Sequence, residues 1–139
     1  MTITPPILIV DDDAELRDLI AIHLGVSGYQ TSEAADGRYA LDLIHAGQPF
    51  SLVLLDLRMP RMNGLELLEV LRTDGVLDHL PVVVLTGDAN TGRDAIRIGA
   101  RTFLKKPIGV DELNNAVRTY GRWRSTELDE RQDMPQPPH

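Results

Sequence analysis

The chain has 139 residues, enough for one domain, and 42% of them are hydrophobic, so it can bury a substantial core. Its net charge of −7, from 14 basic and 21 acidic residues, argues against nucleic-acid binding. The lack of cysteine excludes disulfides, thiolate-bound zinc and thiol catalysis. No apolar run is long enough to span a membrane and no basic residue precedes the first one, so we expect no membrane contact, no signal peptide and a cytoplasmic location.

Five short apolar runs predict five β-strands. In chain order they are Ile7–Val10, Tyr29–Ala34, Leu52–Leu55, Val82–Leu85 and Thr102–Leu104. The first, third and fourth runs are almost purely Ile, Leu and Val, which is typical of strands buried on both faces of a parallel sheet.

A helical spacing of apolar residues follows each run. The five stripes are Leu16, Leu19, Ile20, His23 and Leu24; Ala40, Leu41 and Ile44; Leu65, Leu68 and Leu71; Ala95, Ile96 and Gly99; and Leu113, Ala116, Val117 and Tyr120. Gly25 and Gly28 mark the expected end of the first helix. Because strand and helix alternate five times, the sequence predicts a doubly wound α/β fold with a five-stranded parallel sheet.

The alternating pattern ends near Ser125. We therefore expect the folded domain to span residues 1–124. The remaining residues, 125–139, are first charged and then rich in proline, which predicts a flexible tail or the start of a linker.

Polar side chains follow four of the five runs at the point where each strand ends. Asp11 and Asp12 follow the first run, Asp56 the third, Thr86 the fourth and Lys106 the fifth. In a sheet of order 2-1-3-4-5, ligands bind outside the carboxyl ends of the strands, at the point where the strand order reverses. We therefore expect three carboxylates, a hydroxyl and an ammonium group to converge there.

Three carboxylates with no neighbouring His or Cys predict a site for a hard cation. Mg²⁺ suits such a site, because it prefers oxygen ligands and shares its coordination positions with phosphate oxygens. A carboxylate beside the metal can attack phosphorus and form an aspartyl phosphate. Thr86 and Lys106 carry the donors that phosphoryl oxygens require.

Several motifs stand in a fixed order along the chain. They are Ile7–Asp13 (ILIVDDD), Asp36–Leu41 (DGRYAL), Leu54–Gly64 (LLDLRMPRMNG), Val82–Gly87 (VVVLTG) and Gly99–Pro107 (GARTFLKKP). In order and spacing they resemble the receiver domain of bacterial two-component response regulators, over roughly residues 5–124. The resemblance implies the flavodoxin-like (βα)5 fold.

The resemblance also implies roles for the acidic residues. Asp56 corresponds to the phospho-acceptor and is also a metal ligand. Asp12 corresponds to the direct Mg²⁺ ligand, and Asp11 to a residue that acts on the metal through water. The backbone carbonyl of Arg58 corresponds to the main-chain metal ligand of the family.

The same resemblance assigns the remaining site residues. Thr86 corresponds to the switch hydroxyl, and Lys106 to the phosphate-binding lysine, with a cis bond to Pro107. Lys105 is expected to face solvent. Phe103 takes the place of the aromatic residue that turns inward on activation, although a plain core role is an equal alternative.

By this resemblance, a sensor histidine kinase or a histidine phosphotransfer protein supplies the phosphoryl group. Phosphorylation is then expected to change the surface of helix 4, strand 5 and helix 5 and so control an unidentified downstream partner. The domain is expected to be a signalling module and not an enzyme, with slow self-phosphorylation and autodephosphorylation at most. The sequence does not decide whether the domain forms a homodimer through the same surface.

Two other classes of protein share some of these features. A metal-dependent phosphatase of the haloacid-dehalogenase kind also uses a strand-end Asp, but it needs a second Asp two residues later, where this chain has Arg58. A docking module that is never phosphorylated would not need the full set of acidic, Thr and Lys residues. Failure to accept phosphate from acetyl phosphate would favour that second alternative.

Overall fold

The computed structural model describes residues 4–59 and 61–121. Pro60 of the third motif, the predicted domain boundary at residue 124 and the predicted tail at 125–139 lie outside the described residues. The described residues form five β-strands, close to the five apolar runs. They are β1 (Ile7–Val10), β2 (Thr31–Ala34), β3 (Leu52–Asp56), β4 (Val82–Thr86) and β5 (Thr102–Lys105).

All neighbouring strands of the sheet are parallel, in the order β2-β1-β3-β4-β5, which confirms the predicted topology. The strand order reverses between β1 and β3, and both of these strands are fully buried. The register pairs Val10 with Leu55, Asp56 with Leu85, and Thr86 with Lys105. This register aligns the ends of β1, β3, β4 and β5 at one edge of the sheet.

In the part of the chain that the structure describes, five α-helices connect and cover the strands. They are α1 (Ala14–Val26), α2 (Gly37–His45), α3 (Gly64–Thr73), α4 (Ala89–Ile98) and α5 (Val110–Tyr120), and a short 3-10 helix at Val76–Asp78 follows α3. Within the described residues, no helix is both long and apolar enough to cross a lipid bilayer.

Side chains on the two faces of the sheet form two separate apolar layers. One layer packs the sheet against α2, α3 and α4, and the other packs it against α1 and α5. Two residues assigned to the predicted helical stripes are largely exposed: Leu19 at 52% and Ile96 at 40%. In α1 the buried face is the narrower one of Ile20 and Leu24, and the helix continues past Gly25 to Val26.

Candidate functional site

The structure brings together the five strand-end side chains that the sequence singles out. Asp11, Asp12, Asp56, Thr86 and Lys106 line one pocket at the carboxyl edge of the sheet. Asp11 and Asp56 are only 1% and 4% exposed, and Thr86 is also buried, whereas Asp12 is open to solvent. The pocket therefore combines two buried carboxylates with one accessible carboxylate.

The three carboxylates form a cluster with the chemistry of a hard-cation site. One oxygen each from Asp11, Asp12 and Asp56 lies within 4.8 Å of the others. Among the described residues, Asp11 Oδ2 accepts no hydrogen bond, although Lys106 Nζ lies 3.5 Å from it. A buried oxygen without a hydrogen-bond donor, in an oxygen-only set, fits a small divalent cation such as Mg²⁺.

The charges of the pocket are only partly balanced. Lys106 Nζ donates to Asp56 Oδ1 at 3.1 Å and also pairs with Asp11. Burial raises the pKa of Asp11, and the negative charge of Asp56 raises it further. Burial lowers the pKa of Lys106, but the adjacent Asp56 and Asp11 carboxylates outweigh that effect and hold the pKa above its usual value. One ammonium group thus faces three carboxylates, which leaves net negative charge for a cation.

The turn between β1 and α1 holds the acidic residues in place. The Asp11 side chain accepts a hydrogen bond from the Asp13 backbone N–H at 2.9 Å. Asp13 in turn is the N-cap of α1, as its position in the sequence predicts, and accepts from the N–H groups of Glu15 and Leu16. This arrangement leaves the Asp12 side chain free to point into the pocket mouth.

The hydroxyl of Thr86 takes part in the turn between β4 and α4. Thr86 Oγ1 accepts a hydrogen bond from the Asp88 backbone N–H at 3.1 Å. The Asp88 side chain caps α4 by accepting from Asn90 N–H and Thr91 Oγ1. Hydrogen bonds to Thr91 and Asn90 lower the pKa of Asp88, so the capping carboxylate is charged at neutral pH.

Phe103, in β5, packs directly on helix α4. Its ring occupies the space in front of Gly92, where an added Cβ atom would lie 2.4 Å from Phe103 Cγ. Phe103 is half-buried and contacts the apolar layer beneath α4. Lys105, two residues later, is exposed as expected, and the Lys106–Pro107 bond is cis as expected.

The loop between β3 and α3 contains a contact that the sequence did not reveal. Arg61 has a φ of 65°, a left-handed conformation that is uncommon for residues other than glycine. Its guanidinium pairs with Asp36, the N-cap of α2, which also accepts from the Tyr39 N–H at 2.8 Å. The loop that carries Arg58 past the pocket is therefore tied to α2.

Asp36→Asn should reveal this contact through the pH dependence of stability. The hydrogen bond from Tyr39 N–H and the pairing with Arg61 lower the pKa of Asp36, so its charge stabilises the fold above the unfolded-state pKa. That contribution is lost as the pH falls through the lowered pKa. Asn retains an oxygen that can cap α2, so the variant removes mainly the charge.

We expect the difference in free energy of unfolding between wild type and Asp36→Asn to shrink as the pH falls from about 5 to about 3. Urea unfolding at each pH measures this difference. Asp42→Asn, on the exposed face of the same helix, is the control. A difference that does not change with pH would contradict the assignment.

The sequence of this chain matches a known family model, that of the response regulator receiver domain, over residues 7–118. The response regulator MprA of Mycolicibacterium vanbaalenii is 44% identical over 114 residues, which cover 81% of this chain and 48% of that protein. Sporulation initiation phosphotransferase F of Bacillus subtilis is 36% identical over 116 residues, which cover 82% of this chain and 91% of that protein. The chain thus spans about half the length of the first relative and nearly all of the second.

Solved structures give the same result. The receiver domain of NtrX from Brucella abortus is 36% identical with a TM-score of 0.75, over 82% of this chain and 96% of that one. The chemotaxis protein CheY4 of Vibrio cholerae is 27% identical with a TM-score of 0.76, over 85% of this chain and 99% of that one. With its parallel sheet and its acidic pocket at the carboxyl edge, this chain belongs to the response regulator receiver domains, which are phospho-accepting signalling domains.

Proposed function

We propose that Asp56 is the phospho-acceptor of this receiver domain, and that a sensor histidine kinase or a histidine phosphotransfer protein is the donor. The observation that carries the proposal is the pairing of the buried Asp56 carboxylate with Lys106 Nζ at 3.1 Å, beside Asp11 and Asp12. In the transfer, an Asp56 oxygen forms a bond to phosphorus as the P–N bond of the donor breaks. The electron pair of that bond stays on the donor imidazole.

Mg²⁺ is the proposed cofactor, held by the carboxylates of Asp11, Asp12 and Asp56 and by the backbone carbonyl of Arg58. When bound, the metal would neutralise charge on the phosphoryl oxygens. The fit rests on the oxygen-only cluster and on the buried Asp11 oxygen that accepts no hydrogen bond from the described residues. The assignment of Arg58 is supported by its position two residues after Asp56 and by its place in the lining of the same pocket.

Lys106 and Thr86 are the proposed donors to the phosphoryl group. Lys106 Nζ already contacts Asp56, so it can follow the developing charge without a large movement. The Thr86 hydroxyl is engaged with the Asp88 backbone and would have to turn toward the pocket. That turn would release the Asp88 N–H, next to the start of α4.

Phe103 and the surface of α4, β5 and α5 are the proposed output. Phe103 contacts Gly92 in α4, and Gly92 N–H donates to the Asp88 carbonyl at 3.0 Å. A short chain of contacts therefore joins Thr86 to Phe103 through the first turn of α4. We propose that this surface binds a downstream effector, that the domain turns over no substrate, and that it acts in the cytoplasm.

Mass spectrometry of the intact protein tests the phospho-acceptor. Incubation with acetyl phosphate and Mg²⁺ should add one acid-labile phosphoryl mass to the wild type. Asp56→Asn should abolish the gain, because an amide is not a nucleophile of this kind. Asp42→Asn, exposed on α2, should leave it unchanged. A full gain in Asp56→Asn would refute the assignment, and no gain in the wild type would favour a docking module.

A further inference from the structure

Strand β2 contributes no side chain to the pocket lining among the described residues, yet it is connected to the pocket through α1. Arg17, at the end of the first turn of α1, extends toward the sheet, and its side chain is only 16% exposed. Its Nη1 donates to the backbone carbonyl of Asp11 at 2.6 Å, and its Nε donates to Glu33 Oε1, in β2, at 3.0 Å. One guanidinium group thus bridges the acidic turn and the neighbouring strand.

The carbonyl that Arg17 contacts belongs to the peptide group joining Asp11 to Asp12. Because a peptide group is planar, a hydrogen bond to this oxygen also orients the N–H and Cα of Asp12. The Asp11 N–H donates to the Ala34 carbonyl at 3.1 Å, so β2 fixes the other side of Asp11. With Arg17 in place, the backbone on both sides of the buried Asp11 carboxylate is held.

The shape of the Arg17 side chain suits this task. A guanidinium group is a planar fork that can donate to two acceptors at fixed angles, whereas a lysine ammonium is a single point charge. Glu33 accepts the hydrogen bond from Nε and so fixes the orientation of the guanidinium group. An exposed ion pair with no other partner would contribute little to the stability of this arrangement. The Arg17 side chain, however, is largely buried and also donates a hydrogen bond to a backbone carbonyl.

We propose that Arg17, held by Glu33, is a positioning residue for the acidic pocket, fixing the Asp11–Asp12 peptide so that both carboxylates are placed for a divalent cation. The inference rests on the proposed function of the pocket. Residues that hydrogen-bond to metal ligands, without contacting the metal themselves, commonly orient those ligands. Replacing such residues weakens metal binding.

Arg17→Lys separates position from charge, because it keeps the positive charge and removes the fork. We expect this variant to bind Mg²⁺ about 10- to 100-fold more weakly than the wild type. Arg17→Met also removes the charge. If only charge mattered, removing this positive charge would reduce the repulsion of Mg²⁺ and strengthen its binding. Weaker Mg²⁺ binding by Arg17→Met would therefore support a positioning role for Arg17.

Glu33 offers a second pair of variants. Glu33→Gln keeps an oxygen for Arg17 Nε but loses the negative charge, and Glu33→Ala loses both. We expect Glu33→Ala to weaken Mg²⁺ binding and Glu33→Gln to remain near the wild type. Because Glu33 is exposed on β2 and does not line the pocket, its two variants test the inference even if the Arg17 variants fail to fold.

NMR titration with Mg²⁺ measures the affinities, and thermal unfolding without Mg²⁺ measures stability separately. Arg72→Lys is the control, since Arg72 pairs with Glu69 on the exposed face of α3. Weakened affinity in Arg17→Lys and Glu33→Ala, with a smaller effect in Glu33→Gln, supports the inference. Wild-type affinity in Arg17→Lys, or equal affinities in the two Glu33 variants, overturns it. If the wild type itself binds no Mg²⁺, the proposed function fails instead.

Discussion

Replacing Lys106 with Met should slow phosphoryl transfer to Asp56 about 100- to 1000-fold, the usual effect of removing one preorganised donor to developing charge. Lys106 lies within hydrogen-bonding distance of Asp56, with its Nζ 3.1 Å from Oδ1. Its loss also leaves Asp11 and Asp56, both buried, without their counter-ion. The rate is measured as the time course of mass gain with acetyl phosphate and Mg²⁺.

Lys105→Met provides a matched control, because Lys105 is adjacent in sequence but exposed. It removes the same charge from the chain and should leave the rate unchanged. Circular dichroism and urea unfolding of Lys106→Met establish that the fold is retained. A rate for Lys106→Met within about twofold of the wild type would show that this lysine does not contact the transferred group.

Gly92→Ala should destabilise the protein by about 1–2 kcal/mol, although the same change in an open helix is stabilising. The added methyl group would lie 2.4 Å from Phe103 Cγ and 2.6 Å from Cδ2, so either the ring or helix α4 must move. Gly92 is buried and its φ is not in the left-handed region, so no backbone strain contributes. Urea unfolding measures the free-energy change.

Two further variants separate the clash from the effect of helix propensity. Gly25→Ala, in α1, has no neighbouring atom within 4 Å and should stabilise the protein by about 0.5–1 kcal/mol. In a Phe103→Ala background, Gly92→Ala should no longer be destabilising, because the ring is gone. If Gly92→Ala is stabilising in the wild-type background, Phe103 does not depend on Gly92 for its position.

The fold was predictable because β1, β3 and β4 are marked by continuous apolar runs and the helices by periodic stripes, whereas β2 is a mostly polar segment with one buried residue. The order of the strands in the sheet could be predicted only from the resemblance to receiver domains, because the hydrophobic pattern alone does not specify which strands are neighbours. The apolar spacing of α1 predicts that Leu19 is buried, whereas Leu19 is 52% exposed. Periodicity indicates the buried side of a helix, but how far that side extends depends on how closely the helix packs on the sheet.

The convergence of Asp11, Asp56 and Lys106 was predictable because parallel strands end at a common edge. The pairings of Arg17 with Glu33 and of Arg61 with Asp36 were not. Each joins charged side chains from separate elements, and exposed charged residues are too frequent in a sequence for a pair to be recognised. Only the distances in the folded chain distinguish them.

The order of the strands also has a consequence for how this chain acquires its activity. Lys106 follows β5, which is synthesised last of the strands, and it is 50 residues beyond Asp56. Until β5 pairs with β4, the carboxylates at the ends of β1 and β3 face one another without an ammonium group, and their mutual repulsion opposes burial. A nascent or truncated chain lacking β5 would therefore hold a poorly formed pocket. Pairing of β5 with β4 therefore completes the charge balance of the pocket, because it brings the Lys106 ammonium group to the two buried carboxylates.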